Sequence, residues 1–168
     1  DAGNMGRVVL VSDVQTPLGE ELARRYLAEG ASVAVTRSNQ KSSESPLTSE
    51  SGGLLLTDWN RRSPISSRNV LLSVDNRFGR IDEAVVLHDP TLKAALLPDA
   101  AYEAIERAVD SWLKGTLFLL KGLLELFARQ GAGRLALVEY APREAVGSRP
   151  PLEAALRGAF RGLAQSLL

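Results

Sequence analysis

Residues 13–19, Asp-Val-Gln-Thr-Pro-Leu-Gly, stand between an apolar run, Arg7–Ser12, and a helix start, Pro17–Ala23. A turn in that setting binds phosphate when it is rich in glycine. The early glycines let the main chain turn tightly and approach a pyrophosphate, whose charge is then held by free N–H groups at the helix N-terminus. Where such a loop reads Gly-x-x-x-Gly-x-Gly, this chain keeps only Gly19. Asp13 places a carboxylate where the phosphates would lie, and Pro17 removes an N–H donor. Both changes oppose the binding of an anion.

Other side chains offer different chemistry. His88 and Asp89 follow a later apolar run, at the strand end where open α/β sheets keep their ligands. A lone histidine there reads as a loop residue. Alternatively, Asp13, Asp89, Tyr140 and Glu153 converge with it into an acidic crevice that repels a dinucleotide and suits a cationic or neutral ligand. Glu153 and Arg157, at i and i+4 of a helix, read as an exposed salt bridge worth a few tenths of a kcal/mol, with a repurposed acid site as the alternative. Arg37 reads as a solvated strand-end arginine, or as a selector of a 2′-phosphate. Asp58 reads as a cap, and Trp112 as a core or interface anchor. The chain has no cysteine and one histidine, so no metal site is expected.

These residues must be held by an alternating series of strands and helices. After the first strand, Thr16 caps a helix that carries Pro17 at its first position and Gly30 just past its end, with Leu18, Leu22, Ala23 and Leu27 as its apolar stripe. Residues 31–36 form a second buried strand closed by Arg37, which implies a right-handed parallel crossover. Residues 38–52, rich in serine, read as a surface loop in place of a helix. A third strand covers 54–57, a helix 64–79 and a fourth strand 81–87. One long helix is expected from Pro98 to Gln130, apolar on nearly every side in its second half and therefore covered on every side, by the sheet and by another subunit. A fifth strand (133–138) and a last helix from Pro150 or Pro151 complete the pattern. Residues 1–4 precede the only methionine, Met5, and are expected to lie outside the fold.

With 45% hydrophobic and 24% charged residues, the 168-residue chain reads as one globular domain. Twenty basic residues balance twenty acidic ones, so no overall field draws in nucleic acid or anionic lipid. The apolar segment 112–127 is interrupted by Lys114, Lys121 and Glu125 and is shorter than the roughly 20 residues of a membrane span. No membrane partner is expected. The absence of cysteine is compatible with the cytoplasm, the expected location.

Several ordered features resemble the short-chain dehydrogenase/reductase family over residues 7–168. Gly19 matches the last glycine of its loop, Asp58 the aspartate after its third strand, and Phe78-Gly-Arg-Ile-Asp82 its lead-in to strand four. Gly115, Gly133-Arg134 and Gly162-Leu-Ala-Gln-Ser-Leu167 match later landmarks. The resemblance implies a Rossmann-like, doubly wound parallel sheet of order 3-2-1-4-5 with helices on both faces. It also implies that the family continues, beyond where this chain stops, into further strands and a substrate-binding helix, without which a closed substrate pocket is not expected.

Family chemistry uses a tyrosine and a lysine four residues later on the last helix, and those positions are Glu153 and Arg157 here. Tyr26, Tyr102 and Tyr140 are followed four residues on by Gly30, Glu106 and Glu144, so no shifted copy exists. The family serine falls at about Tyr140, its helical asparagine at about Trp112, and its Asn-Asn-Ala-Gly at Val86-Leu87-His88-Asp89. The expectation is a member that binds no cofactor, or NADP if any, and serves as a binding or assembly subunit. Its partner is a second copy, as dimer or tetramer, or an active paralogue. A divergent NAD(P)-dependent oxidoreductase, and a hydratase, isomerase or lyase using Glu153, Tyr140 or His88, stand as alternatives.

Overall fold

The computed structural model describes residues 6–38, 47, 52–90, 92, 96–140 and 150–167. Its elements are β1 (Val8–Ser12), α1 (Pro17–Ala28), β2 (Ser32–Arg37), β3 (Leu54–Asp58), α2 (Pro64–Phe78) and β4 (Glu83–His88). There follow a 3-10 turn (Leu97–Asp99), α3 (Tyr102–Ala108), a π-helical turn (Val109–Lys114), α4 (Gly115–Gln130), β5 (Arg134–Glu139) and α5 (Pro151–Ser166). The five strands are parallel and ordered β3-β2-β1-β4-β5.

The period-two alternation of the strands divides the core. Val8, Leu10, Ala34, Ala84 and Val86 face α2 and α4 through Val70, Val74, Leu119 and Leu123, with Leu163 of α5 packed against them. Val9, Val11, Val33, Val35, Val85 and Leu87 point the other way and meet Ala23 of α1 and Leu47. Strands buried on both faces need near-continuous apolar runs, and β1 has all five residues buried. The helices end where their sequences direct: Gly79 and Gly131 close α2 and α4 in left-handed backbone, at φ 78° and 72°.

Three expectations change. The helix expected from Pro98 is broken, because Pro98 sits in the 3-10 turn and Ala100 and Ala101 are extended before α3 begins at Tyr102. Its middle then widens into the π turn that carries Trp112. Strand four begins at Glu83 rather than Ile81, since Asp82 turns its carboxylate back to accept the Val8 N–H at 2.8 Å. Within the segment 38–52, Leu47 is buried in the core rather than on the surface, and the rest of the loop, apart from Ser38 and the Gly52-Leu54 approach to β3, lies outside the described residues, as do residues 1–4.

On α4, Leu119, Leu120, Leu123 and Leu126 are buried, whereas Leu117 and Leu124 are 41% and 40% exposed. Among the described residues the helix is thus buried on one face and exposed on another. No helix among the described residues is long and apolar enough to cross a membrane.

Candidate functional site

The carboxyl ends of β1, β2, β4 and β5 bring Ser12, Arg37, His88 and Glu139 to one edge of the sheet. The loop after β1 closes on itself there. Asp13 Oδ1 accepts the Gln15 N–H at 3.0 Å, and the Asp13 carbonyl accepts the Thr16 hydroxyl at 3.0 Å. Thr16 in turn takes the Gly19 N–H on its side chain and the Glu20 N–H on its carbonyl. With Pro17 lacking an N–H, most of the first-turn donors of α1 are absent or occupied. Gly19 has a packing reason of its own, because a Cβ there would stand 2.1 Å from the Asp13 carbonyl oxygen.

Beside this loop lies a residue that the sequence patterns did not mark. Arg61 follows β3, and its guanidinium sits between two indole rings, 4.2 Å from the Trp59 centroid and 4.3 Å from that of Trp112. Trp59 is itself fixed by donating from Nε1 to Ser67 Oγ at 2.9 Å. Gly115 lets α4 approach, since a Cβ there would meet the Arg61 carbonyl oxygen at 2.6 Å. Arg61 Nη2 is 4.0 Å from Asp13 Oδ2, and both Nη atoms are buried without a hydrogen bond. Burial lowers the Arg61 pKa to about 10, against the pull of Asp13. Burial likewise raises the Asp13 carboxyl above its usual range, despite the Gln15 hydrogen bond and the Arg61 charge. The only sequence signal for this stack was the Trp-x-Arg spacing after a strand.

His88 is the last residue of β4 and 1% exposed, not a loop residue. Its ring stacks on Phe160 at 4.2 Å and meets Trp112 edge-on at 5.6 Å. Desolvation lowers its pKa to about 4, helped by the Arg61 and Arg157 charges and opposed by Glu139 and a hydrogen bond with the Trp112 main chain. The imidazole is therefore neutral near pH 7.

Glu153 and Arg157 are not an exposed pair. They are 7% and 2% exposed, and Arg157 Nε donates to Glu153 Oε1 at 3.0 Å. Their burial follows from their place on the α5 face turned toward β5, beside Leu156 and Phe160. Arg157 also donates to the Tyr140 carbonyl and stands 3.5 Å from Glu139 and 3.6 Å from Asp89. One guanidinium thus serves three carboxylates, with Arg161 capping Glu139 from outside at 2.6 Å.

The acidic crevice is accordingly not assembled as a free acidic surface. Asp89 and Glu153 meet on Arg157, Asp13 lies instead by Arg61, and Tyr140 contributes its main chain while its side chain is 47% exposed. Trp112 is half-buried, edge-on to His88 and stacked on Arg61. Arg37 and Asp58 are paired with each other, Nε to Oδ1 at 2.6 Å, rather than solvated separately. Among the described residues a cavity of about 60 Å³ lies between Thr16, Pro17, Leu18, Leu87, Asp89 and Tyr140 at the first turn of α1, below the 300–1,000 Å³ usual for small-ligand sites. Among the described residues no group of His, Cys, Asp and Glu is placed to hold a metal ion.

No family model matches the chain. It is 28% identical over 134 residues to an uncharacterised protein of Treponema pallidum (strain Nichols), covering 80% of this chain and 58% of that one. It is 30% identical over 141 residues to the short chain dehydrogenase/reductase astE of Aspergillus oryzae, covering 76% and 51%. The chain therefore spans little more than half the length of these curated relatives. Among solved structures, a levodione reductase superposes with a TM-score of 0.79 at 22% identity, over 96% of this chain and 65% of that one. A short chain dehydrogenase from Bacillus anthracis gives 0.77 at 18%, over 96% and 66%. The sorbitol-6-phosphate 2-dehydrogenase SrlD from Erwinia amylovora gives 0.77 at 22%, over 95% and 64%. The fold is that of the short-chain dehydrogenases.

Proposed function

We propose that this chain is a member of the short-chain dehydrogenase/reductase family that binds no NAD(P), transfers no hydride and works in the cytoplasm as a binding or assembly subunit. The observation that carries this reading is that the strand-end crevice is filled by the chain's own ions and rings. The residues present do not fit a dinucleotide. Pro17 and the Thr16 cap withdraw N–H groups that would meet a pyrophosphate, Asp13 adds a negative charge, and Arg61, held between two indoles, stands 4.0 Å from Asp13. At the positions that the family gives to tyrosine and lysine, a glutamate and an arginine neutralise each other in the interior. Arg157 also ties α5 to β5 through Glu139 and the Tyr140 carbonyl, and the pair leaves no phenol to exchange a proton with a substrate oxygen.

The assembly surface is the outer side of α4 and α5. Leu117 and Leu124 are exposed on α4, and on α5 a Cβ at Gly158 or Gly162 would meet nothing within 4 Å. Leucines beside a smooth glycine-bearing helix suit close packing of the same face of a second copy about a two-fold axis. Sedimentation velocity at micromolar concentration tests this. A dimer or tetramer is expected, lost in Gly158→Leu with the subunit still folded. A wild-type chain that is wholly monomeric and co-purifies with no relative contradicts it.

A second reading, a divergent NAD(P)-dependent oxidoreductase, is favoured by the 30% identity to astE. It requires Arg37 to leave Asp58 for a 2′-phosphate, and saturable NADP binding lost in Arg37→Ala would establish it.

A further inference from the structure

A second opening, separate from the strand-end crevice, lies between α3, the π turn and the first turn of α5. It is a cleft of about 380 Å³, within the size range of small-molecule sites. Small side chains make the room, with Ala104 and Ala108 one turn apart on α3, while Leu92, Leu152 and Trp112 supply apolar walls. Two hydrogen-bond donors, Arg107 and Ser111, line the same wall one turn apart. Arg107 is exposed and forms no ion pair among the described residues. Asp99 lines the same cleft, is exposed, and likewise forms no ion pair among the described residues.

We propose that this cleft binds an amphipathic monocarboxylate, with its apolar tail between the alanines and Trp112 and its carboxylate on Arg107 and Ser111. A planar guanidinium and a neighbouring hydroxyl are the donor set a carboxylate accepts from. Asp99 sets the charge of the head group. A second negative charge near it is repelled, so a singly charged carboxylate fits and a phosphate monoester does not. A long-chain amine meets Arg107 with like charge. Ser111 and Trp112, which line the cleft, both lie in the π turn. Trp112 also connects the cleft to the interior, since its ring stacks on Arg61 at 4.3 Å. An occupant is therefore expected to perturb the fluorescence of Trp112, while Trp59, 2% exposed and outside the cleft, is shielded from it. The inference holds whether or not the strand-end crevice accepts a nucleotide.

Decanoate below its micelle-forming concentration, titrated into the full chain by calorimetry and tryptophan fluorescence, is the test. Saturable binding is expected, weakened about tenfold or more in Arg107→Gln and abolished in Ala104→Phe, which fills the cleft. Both variants should show the thermal unfolding midpoint of the wild type, which separates loss of the site from loss of the fold. Decylamine and decyl phosphate should bind more weakly than decanoate. No saturable decanoate binding, equal affinity in Arg107→Gln, or tighter binding of decylamine or decyl phosphate would each overturn the proposal.

Discussion

Arg157 and Glu153, one turn apart on α5, form a hydrogen-bonded ion pair at 3.0 Å in the interior, with Arg157 only 2% exposed. A buried guanidinium is tolerated because Glu153, Asp89, Glu139 and the Tyr140 carbonyl surround it. Removing it leaves the buried Glu153 without its ion-pair partner and takes a cation away from Glu139 and Asp89, so Arg157→Met should cost about 3–5 kcal/mol of stability. Glu153→Gln keeps a hydrogen-bond acceptor and leaves Arg157 two anionic neighbours, so it should cost about 1–3 kcal/mol. Urea unfolding measures both, and an Arg157→Met chain within about 1 kcal/mol of wild type would refute this role of the cluster.

The neutral state of His88 has a consequence for acid stability. Its pKa is about 4 in the folded chain against 6.5 for an unperturbed imidazole. As pH falls, the unfolded chain binds the proton first, so the contribution is complete above about pH 6.5 and lost on the way down to about 4. Its size is about 3 kcal/mol at 1.36 kcal/mol per unit. Asp13, raised by burial, acts in the opposite sense, but it is present in both proteins compared and cancels in the difference. His88→Phe, which keeps a flat ring against Phe160, should flatten the fall of the melting temperature between pH 6.5 and 4. Parallel pH profiles for the two proteins would count against it.

Two glycines should respond in opposite directions. Gly19→Ala forces a Cβ to within 2.1 Å of the Asp13 carbonyl and should destabilise the chain by about 3 kcal/mol. Gly158→Ala adds a methyl group to a helix interior with nothing of its own subunit within 4 Å, and should stabilise the dissociated subunit, at concentrations too low for assembly, by about 0.5–1 kcal/mol. Chemical denaturation of the two variants side by side decides this. A tolerated Gly19→Ala would mean that the loop is not held as described.

The Arg61 stack calls for an arginine rather than a cation in general. A lysine cannot present a planar group to both Trp59 and Trp112, so Arg61→Lys should lose about 1–2 kcal/mol and alter the near-ultraviolet circular dichroism of the indoles. An unchanged spectrum and midpoint would show that the rings do not depend on the guanidinium.

The strand order and the Thr16 cap were readable because each depends on neighbours in sequence: apolar runs, and a Thr followed by a Pro at N1. The break at Ala100 and Ala101 was hidden because alanine is a strong helix former, and only the tertiary setting holds the pair extended. The burial of Glu153 and Arg157 was equally hidden. An i,i+4 pair reads the same on either face of a helix, and the partners that make burial tolerable, Asp89 and Glu139, come from the ends of two different strands. Arg61 escaped notice for the same reason: Trp112, which completes its sandwich, lies far along the chain.

Calorimetric titration of the chain with NAD and with NADP, each to about 1 mM, tests the central claim most directly. Heats indistinguishable from dilution are predicted for both. A saturable isotherm for either nucleotide with Kd below about 100 μM, a binding free energy near −5.5 kcal/mol, would contradict it.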